Sequence, residues 1–320
     1  MILTLKDTNS QEVAARLVEQ RENVGAGALG RVLTLLVVVP ATIDVDQAIE
    51  ISESASREHP CRVIVVVDSA DQSGSPRLNA QIRVGDSAGV SEVVVLEPHG
   101  PVADALDVLV LPLLAADTPV VAYWPHEAPV NPGQHPLGRL AIRRITDSRA
   151  TDCPVATLRD LAEVYSPGDT DLAWSGVTLW RALLSAVVKT LPAPITSIRV
   201  RGNATHPSSY LVALWMQRML GVSVHHEVDP EAHTITGVFF ECEDGVSAAL
   251  TRSATSQVAH LVRSDLAAAE VNLPRRSIQD CLMEELRRLD PDIFYGSIIT
   301  QDLMSYPPVA EQIECARQDQ

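Results

Sequence analysis

Arg31-Val32-Leu33-Thr34-Leu35-Leu36-Val37-Val38-Val39 is an unbroken run of β-branched and leucine residues, and Cys61-Arg62-Val63-Ile64-Val65-Val66-Val67 is a second one. Runs this apolar, with so little polar alternation, mark strands covered on both faces, the situation of a parallel sheet. Between them, Val45, Ala48 and Ile49 form a stripe at helical spacing behind the cap residue Asp44, and His59-Pro60 closes the segment. Strand, helix and strand at this length predict a βαβ unit with a right-handed crossover. The fold class is α/β.

The same reading extends in both directions. Thr8-Asn9-Ser10-Gln11 has the form of a capping box and opens a helix striped by Val13, Leu17 and Val18, which the glycines after Asn23 end. Leu78 to Val84 and Glu92 to Leu96 predict an antiparallel pair joined through the turn-like Gly85 to Gly89. Val102 to Leu114 predicts a helix and Pro119 to Trp124 a strand, completing an N-terminal α/β domain over 1–130. Residues 131–190 form a connecting segment. It starts in a Pro/Gly/Asn-rich loop and continues with predicted helices at Leu137 to Ile145, Leu158 to Val164 and Leu172 to Val188. In the last of these, Trp174, Thr178 and Arg181 share a face distinct from the Leu172, Leu179, Leu183, Val187 stripe.

Leu191-Pro192-Ala193-Pro194 is a rigid break, and a C-terminal α/β domain over 191–320 follows. Its expected order is strand (Ile195 to Val200), helix (Ser209 to Leu220) and strand (Val222 to Val228). A meander follows over Ile235 to Cys242, Ser247 to Thr251 and Val258 to Val262. Ser277-Ile278-Gln279-Asp280 opens a closing helix striped by Ile278, Leu282, Leu286 and Leu289. The whole reads as two α/β domains with mixed sheets joined by a helical, Pro/Gly-rich middle.

The chain has 320 residues, which suits two cores. With 46% hydrophobic and 21% charged residues the composition is globular, and 4% aromatics means cores built from Val, Leu, Ile and Ala. A net charge of −16 argues against binding nucleic acid or an anionic membrane surface. There is no apolar run long enough to span a bilayer and no signal-peptide pattern at the start, so a cytoplasmic location is expected. The five cysteines are widely spaced with no Cys-x-x-Cys, which points to reduced thiols and away from a zinc site.

Motifs that carry chemistry fail their context tests. Gly25-Ala26-Gly27-Ala28-Leu29-Gly30 matches Gly-x-Gly-x-x-Gly, but it follows a helix and precedes a strand, the reverse of a dinucleotide site. His225 and His226 would point to opposite faces of a strand and cannot share one metal ion. Asp68 and the following loop lie where α/β folds place ligands, and equally where any strand ends. No catalytic residues, cofactor or metal are assigned, and the chain is not expected to be an enzyme. Arg275, Arg276 and Ser277 precede a helix start, where amides attract anions; a sugar-phosphate site there and two solvated arginines are equally open.

The composition is odd between Tyr123 and Arg181. Three of the four tryptophans (Trp124, Trp174, Trp180) fall there, with a locally basic run carrying Arg139, Arg143 and Arg144. Trp and Arg are the usual anchors of protein interfaces. Trp124, Arg139, Arg143, Arg144, Trp174 and Arg181 are therefore candidates for a partner-binding surface, together with Asp169 and Asp171, which also suit helix capping. The alternative is that the tryptophans pack internally and the arginines pair within the chain.

Several blocks resemble the OpcA family of glucose-6-phosphate dehydrogenase assembly proteins. They include Ala55-Ser56-Arg57-Glu58-His59-Pro60-Cys61-Arg62, Pro119-Val120-Val121-Ala122-Tyr123-Trp124-Pro125, Ser166-Pro167-Gly168-Asp169-Thr170-Asp171-Leu172-Ala173-Trp174 and Leu273-Pro274-Arg275-Arg276-Ser277, in that order. The resemblance implies a non-catalytic partner that binds glucose-6-phosphate dehydrogenase, promotes its active oligomer and raises its activity at the head of the oxidative pentose phosphate pathway.

Overall fold

The computed structural model describes residues 2–24, 32–43, 45–56, 58–68, 74–84 and 92–306. In chain order the first elements are β1 (Ile2–Leu5), α1 (Ser10–Val24), β2 (Leu33–Pro40), α2 (Val45–Ser56), β3 (Cys61–Asp68), β4 (Arg77–Arg83) and β5 (Glu92–His99). Then come α3 (Leu106–Val110), β6 (Val120–Trp124), α4 (Pro136–Leu140), β7 (Arg143–Thr146), α5 (Pro154–Glu163), β8 (Asp169–Asp171), α6 (Leu172–Gly176) and α7 (Thr178–Thr190). The remainder is β9 (Ile195–Gly202), α8 (Pro207–Leu220), β10 (Val224–Val228), β11 (Ile235–Cys242), β12 (Ser247–Thr251), β13 (Val258–Arg263), β14 (Leu266–Asn272), α9 (Ile278–Arg287) and α10 (Ile293–Ser297).

Two mixed sheets result, as the α/β reading expects. The eight-stranded sheet runs β1-β4-β5-β3-β2-β6-β7-β8, and the six-stranded one β10-β9-β11-β12-β13-β14. The two opening runs pair in parallel, Leu33 opposite Cys61 through Pro40 opposite Asp68, and seven of eight residues in each are buried. β4 and β5 form the expected antiparallel pair. In the second sheet β9 and β10 pair in parallel across α8, and β11 to β14 form a meander.

The chain divides into two compact units. One comprises the residues up to Ala150, Ser166–Thr170 and Ile278–Asp292; the other comprises Thr151–Tyr165, Asp171–Ser277 and the described residues from Ile293. In the first unit α1 packs on Leu78, Ala80 and Ile82 through Val13 and Leu17. In the second, Tyr210, Leu211 and Leu214 of α8 join Ile198, Val200, Val238, Phe240 and Leu250 in one core.

Four local readings change. Asn9, not Thr8, caps α1: its Oδ1 accepts from the Glu12 amide at 3.0 Å, while Thr8 Oγ1 donates to Glu12 at 2.8 Å. Leu137 to Ile145 is not one helix, because Ala141 turns extended and Arg143 to Thr146 enter the sheet beside β6. Leu172 to Val188 breaks at Val177, which leaves the helical region at φ −100, ψ 7. Val102 to Leu114 is only briefly α-helical, its flanks being 3-10 turns that each carry a proline, Pro101 or Pro112. β1 and the alanine-rich β14 were not anticipated, since alanine is a weak strand former. The Gly25 to Gly30 motif, Asp44, the Ser69 to Ser73 stretch, the Gly85 to Gly89 turn and the C-terminal tail after Pro308 lie outside the described residues. Cys61, Cys242 and Cys281 are buried thiols outside any disulfide. Cys153 is disulfide-bonded, which corrects the expectation of reduced thiols throughout.

Candidate partner-binding site

β7 sets the geometry of the basic run. Successive strand residues face opposite sides of a sheet, so Arg143 and Arg144 diverge and each finds its own acid. Arg143, 3% exposed, donates Nη2 to the Glu285 carboxylate on α9 and Nη1 to the Asp290 carbonyl at 2.8 Å. Burial pushes the Glu285 carboxyl up, and the Arg143 charge opposes that shift. Arg144 donates Nε to Asp169, Nη1 to the Ala141 carbonyl at 3.0 Å and Nη2 to the Pro167 carbonyl at 2.7 Å. Asp169 also accepts the Ser166 amide at 2.7 Å; burial raises its pKa against those bonds. Both guanidinium groups thus clasp this unit from inside.

Glycines make the clasp possible. A Cβ on Gly138 would lie 1.8 Å from the Pro132 carbonyl oxygen. Gly168 has φ +100, and a Cβ there would lie 2.5 Å from the Ile142 carbonyl oxygen. Trp124, 2% exposed, meets the His135 ring edge-on at 5.4 Å. His135 caps α4, its Nδ1 accepting from the Leu137 amide at 3.3 Å, and burial lowers its pKa. Arg139, in the last turn of α4, is exposed. In the same segment Val130 is 89% and Ile142 50% exposed.

In the second unit, Asp171 is buried and caps α6 by accepting the Ala173 amide at 2.9 Å. Trp174 is buried against Tyr295, ring centroids 5.7 Å apart, and the Arg181 guanidinium lies 3.6 Å above it. Arg181 also bonds Thr178 Oγ1 at 2.9 Å, so these three side chains do share a face. Arg275 donates to the Ala254 carbonyl and Arg276 to the Ser175 carbonyl at 2.8 Å; Ser277 is exposed. The expected partner-binding residues therefore separate into two internal clusters, with Arg139 on the surface.

Sequence reasoning missed the second face of the six-stranded sheet, opposite its core. Burial alternates along β9, β11, β12 and β13, and only one set of alternate side chains enters the core. On the other face the Phe239 ring lies over Gly237, whose Cβ would sit 2.9 Å from it. The guanidinium carbons of Arg199 and Arg201 stand 4.6 and 4.7 Å from that ring, and Glu227 bridges the two at 2.9 and 2.7 Å. The period-2 pattern Arg199-x-Arg201 was the available signal.

Among the described residues no group of three His, Cys, Asp or Glu could hold a metal ion, and no helix is long and apolar enough to cross a membrane. His226 stacks 4.7 Å from Tyr210, and among the described residues neither of its ring nitrogens has a hydrogen-bond partner.

A family model described as the glucose-6-phosphate dehydrogenase subunit N-terminal domain matches residues 52–163, and its C-terminal counterpart matches 167–299. The chain belongs to the OpcA family. No curated protein matches this OpcA sequence. Among solved structures it is similar to KijD10, a 3-ketoreductase from Actinomadura kijaniata in complex with NADP and TDP-benzene, at 11% identity and TM-score 0.48, over 85% of this chain and 94% of that one. An NAD-binding oxidoreductase from Klebsiella pneumoniae follows at 7% identity and TM-score 0.42, over 85% and 95%. Likenesses this loose carry no argument about the chemistry of an OpcA protein.

Proposed function

We propose that this chain is a non-catalytic, cytoplasmic assembly factor that binds glucose-6-phosphate dehydrogenase and favours its active oligomer, supporting the oxidative pentose phosphate pathway. The observation that carries the reading is the pair of consecutive family matches across both halves of the chain, each described as a dehydrogenase subunit domain. Such a factor activates by binding the active form more tightly than the inactive one; equal affinity shifts nothing. The contact surface we assign to it centres on Arg139, flanked in the same segment by the exposed Val130 and Ile142. Arg143, Arg144 and Asp169 hold that segment in place from below, and Trp124 packs under it.

The test is an assay of the same organism's dehydrogenase with and without this chain, run beside size-exclusion chromatography of the mixture. A lower KM or higher kcat with a co-eluting complex is expected. No kinetic change and no complex, with both proteins folded, overturns the reading.

One observation favours a second reading, a sugar-phosphate sensor using Arg275, Arg276 and Ser277. Arg252, 5% exposed, has the Leu273 carbonyl at 2.7 Å and the Trp180 ring at 5.3 Å, and no carboxylate among the described residues. Burial, with the Arg275 charge, pushes it down to about 10. Calorimetry with glucose 6-phosphate decides: absence of heat and of a thermal shift removes this reading.

A further inference from the structure

In the first unit α2 packs on β2 and β3, and beside its first turn a cavity of about 380 Å³ is floored by β1, β4 and β5. That volume falls within the ~300–1,000 Å³ of small-molecule sites. Strand pairing sets the floor. Thr4 lies opposite Gln81, Gln81 opposite Val95 and Asn79 opposite Glu97, so these side chains share one face of the sheet. Ile43 and Val45 add apolar lining. Hydrogen bonds already made decide what the floor still offers. Gln81 Oε1 accepts from Arg83 Nε at 2.6 Å, and Asn79 Oδ1 accepts from the Asp7 amide at 3.4 Å. Among the described residues nothing takes up either side-chain NH2, so each carboxamide keeps a donor. Glu97 is exposed and has no hydrogen-bond or ion-pair partner among the described residues. Its carboxylate is an acceptor held beside the Asn79 donor.

We propose that this cavity binds an uncharged polyhydroxylated ring, a monosaccharide or cyclic polyol, whose hydroxyls are read by Asn79, Gln81 and Glu97. A hydroxyl both donates and accepts, so neighbouring hydroxyls on a ring match a donor and an acceptor held side by side on paired strands. The apolar lining from Ile43, Val45 and Val95 suits the C–H face of such a ring. Charge selects a neutral ligand. Arg83 stands against two carboxylates in the lining, Asp46 and Glu97, and is already bonded to Asp46 at 2.6 Å, so a phosphate or a sugar acid meets net repulsion. A cation is disfavoured by other groups: the two carboxamides and Arg83 offer hydrogens there, not lone pairs. The site is separate from Arg275, Arg276 and Ser277, which belong to the other unit, and it goes beyond the assembly-factor reading.

The experiment is saturation-transfer difference NMR on the full chain, titrated in turn with glucose, xylose and myo-inositol. At least one of these rings is expected to give a saturable signal. Glu97→Ala and Gln81→Ala, checked for folding by circular dichroism, are each expected to weaken that binding about tenfold, the cost of leaving a ring hydroxyl without its partner. Glu97 is exposed, so its variant keeps the fold even where Gln81→Ala does not. Glucuronate and glucosamine, the charged counterparts of glucose, are then tested as competitors, and neither is expected to compete tenfold better than the neutral ring. No saturable signal from any of the three rings overturns the proposal. Binding that is unchanged in folded Glu97→Ala does so as well, because the ring would then sit elsewhere. A tenfold preference for glucosamine or glucuronate also overturns it, since the occupant would then be a cation or an anion. Activation of the dehydrogenase is assayed without sugar, so failure here leaves the assembly-factor reading to its own test.

Discussion

Arg143 and Glu285, 142 residues apart in sequence, form an ion pair with side chains only 3% and 5% exposed. The contact ties helix α9 to strand β7 within one compact unit. Two charges withdrawn from water need each other more than they stabilise the fold, because desolvation cancels most of their attraction.

Removing one partner is therefore expected to cost far more than removing both. Glu285→Ala leaves the Arg143 guanidinium buried with the Asp290 carbonyl as its remaining acceptor. The expected loss is about 3–5 kcal/mol. Arg143→Met with Glu285→Leu is expected to recover most of it, since both charges leave together. Urea denaturation midpoints measure this; equal losses in the single and double variants would show that the pair does not share its burial cost.

Glycine substitutions separate crowding from strain. Gly138→Ala drives a methyl to 1.8 Å from the Pro132 carbonyl oxygen, and backbone must move to accept it. Gly221 ends α8 at φ +66 with nothing within 4 Å of the added methyl, so Gly221→Ala meets only left-handed strain of roughly 1 kcal/mol. A melting-point drop several-fold larger for Gly138→Ala than for Gly221→Ala is expected. Equal drops would mean the 131–141 turn yields freely.

The sheets were legible because their strands speak through local composition. Leu33 to Val39 and Cys61 to Val67 announce buried parallel strands, and the two do pair in parallel, Leu33 opposite Cys61 through Pro40 opposite Asp68. The site was harder to read. Arg143-Arg144 looks like a basic surface patch in one dimension, because nothing local shows that Glu285 and Asp169 arrive from 142 and 25 residues away. Leu137 to Ile145 has helical periodicity, yet the pairing available beside β6 recruits Arg143 to Thr146 into the sheet. Tertiary partners decide in both cases, and a linear pattern does not carry them.

His226 makes stability depend on pH. It packs on Tyr210, and burial lowers its pKa below the ordinary histidine value. A group whose folded pKa is depressed contributes stability above its unfolded pKa, near 6.5, and that contribution is lost as pH falls toward the folded value. Because neither ring nitrogen has a partner among the described residues, His226→Phe keeps the packing and removes the titration. Melting temperatures from pH 7.5 to 5 are expected to fall less steeply in His226→Phe than in the wild type, the curves diverging below about pH 6.5. Parallel curves would show that the ring is not titrating.

Arg139 and Arg144 provide the sharpest contrast for activation. Arg144 is spent on Asp169 and two carbonyls, so Arg144→Glu sets two carboxylates together in a buried place. It is expected to unfold the unit and lose activation only as a consequence. Arg139 is exposed, so Arg139→Glu is expected to leave the melting temperature within a degree or two. If this surface meets the dehydrogenase, reversing that charge should raise the concentration needed for half-maximal activation about tenfold or more, the cost of turning an interfacial attraction into repulsion. Titrating the dehydrogenase with folded Arg139→Glu protein measures it. An unchanged activation curve removes Arg139 from the contact and moves the search to other exposed faces of the chain.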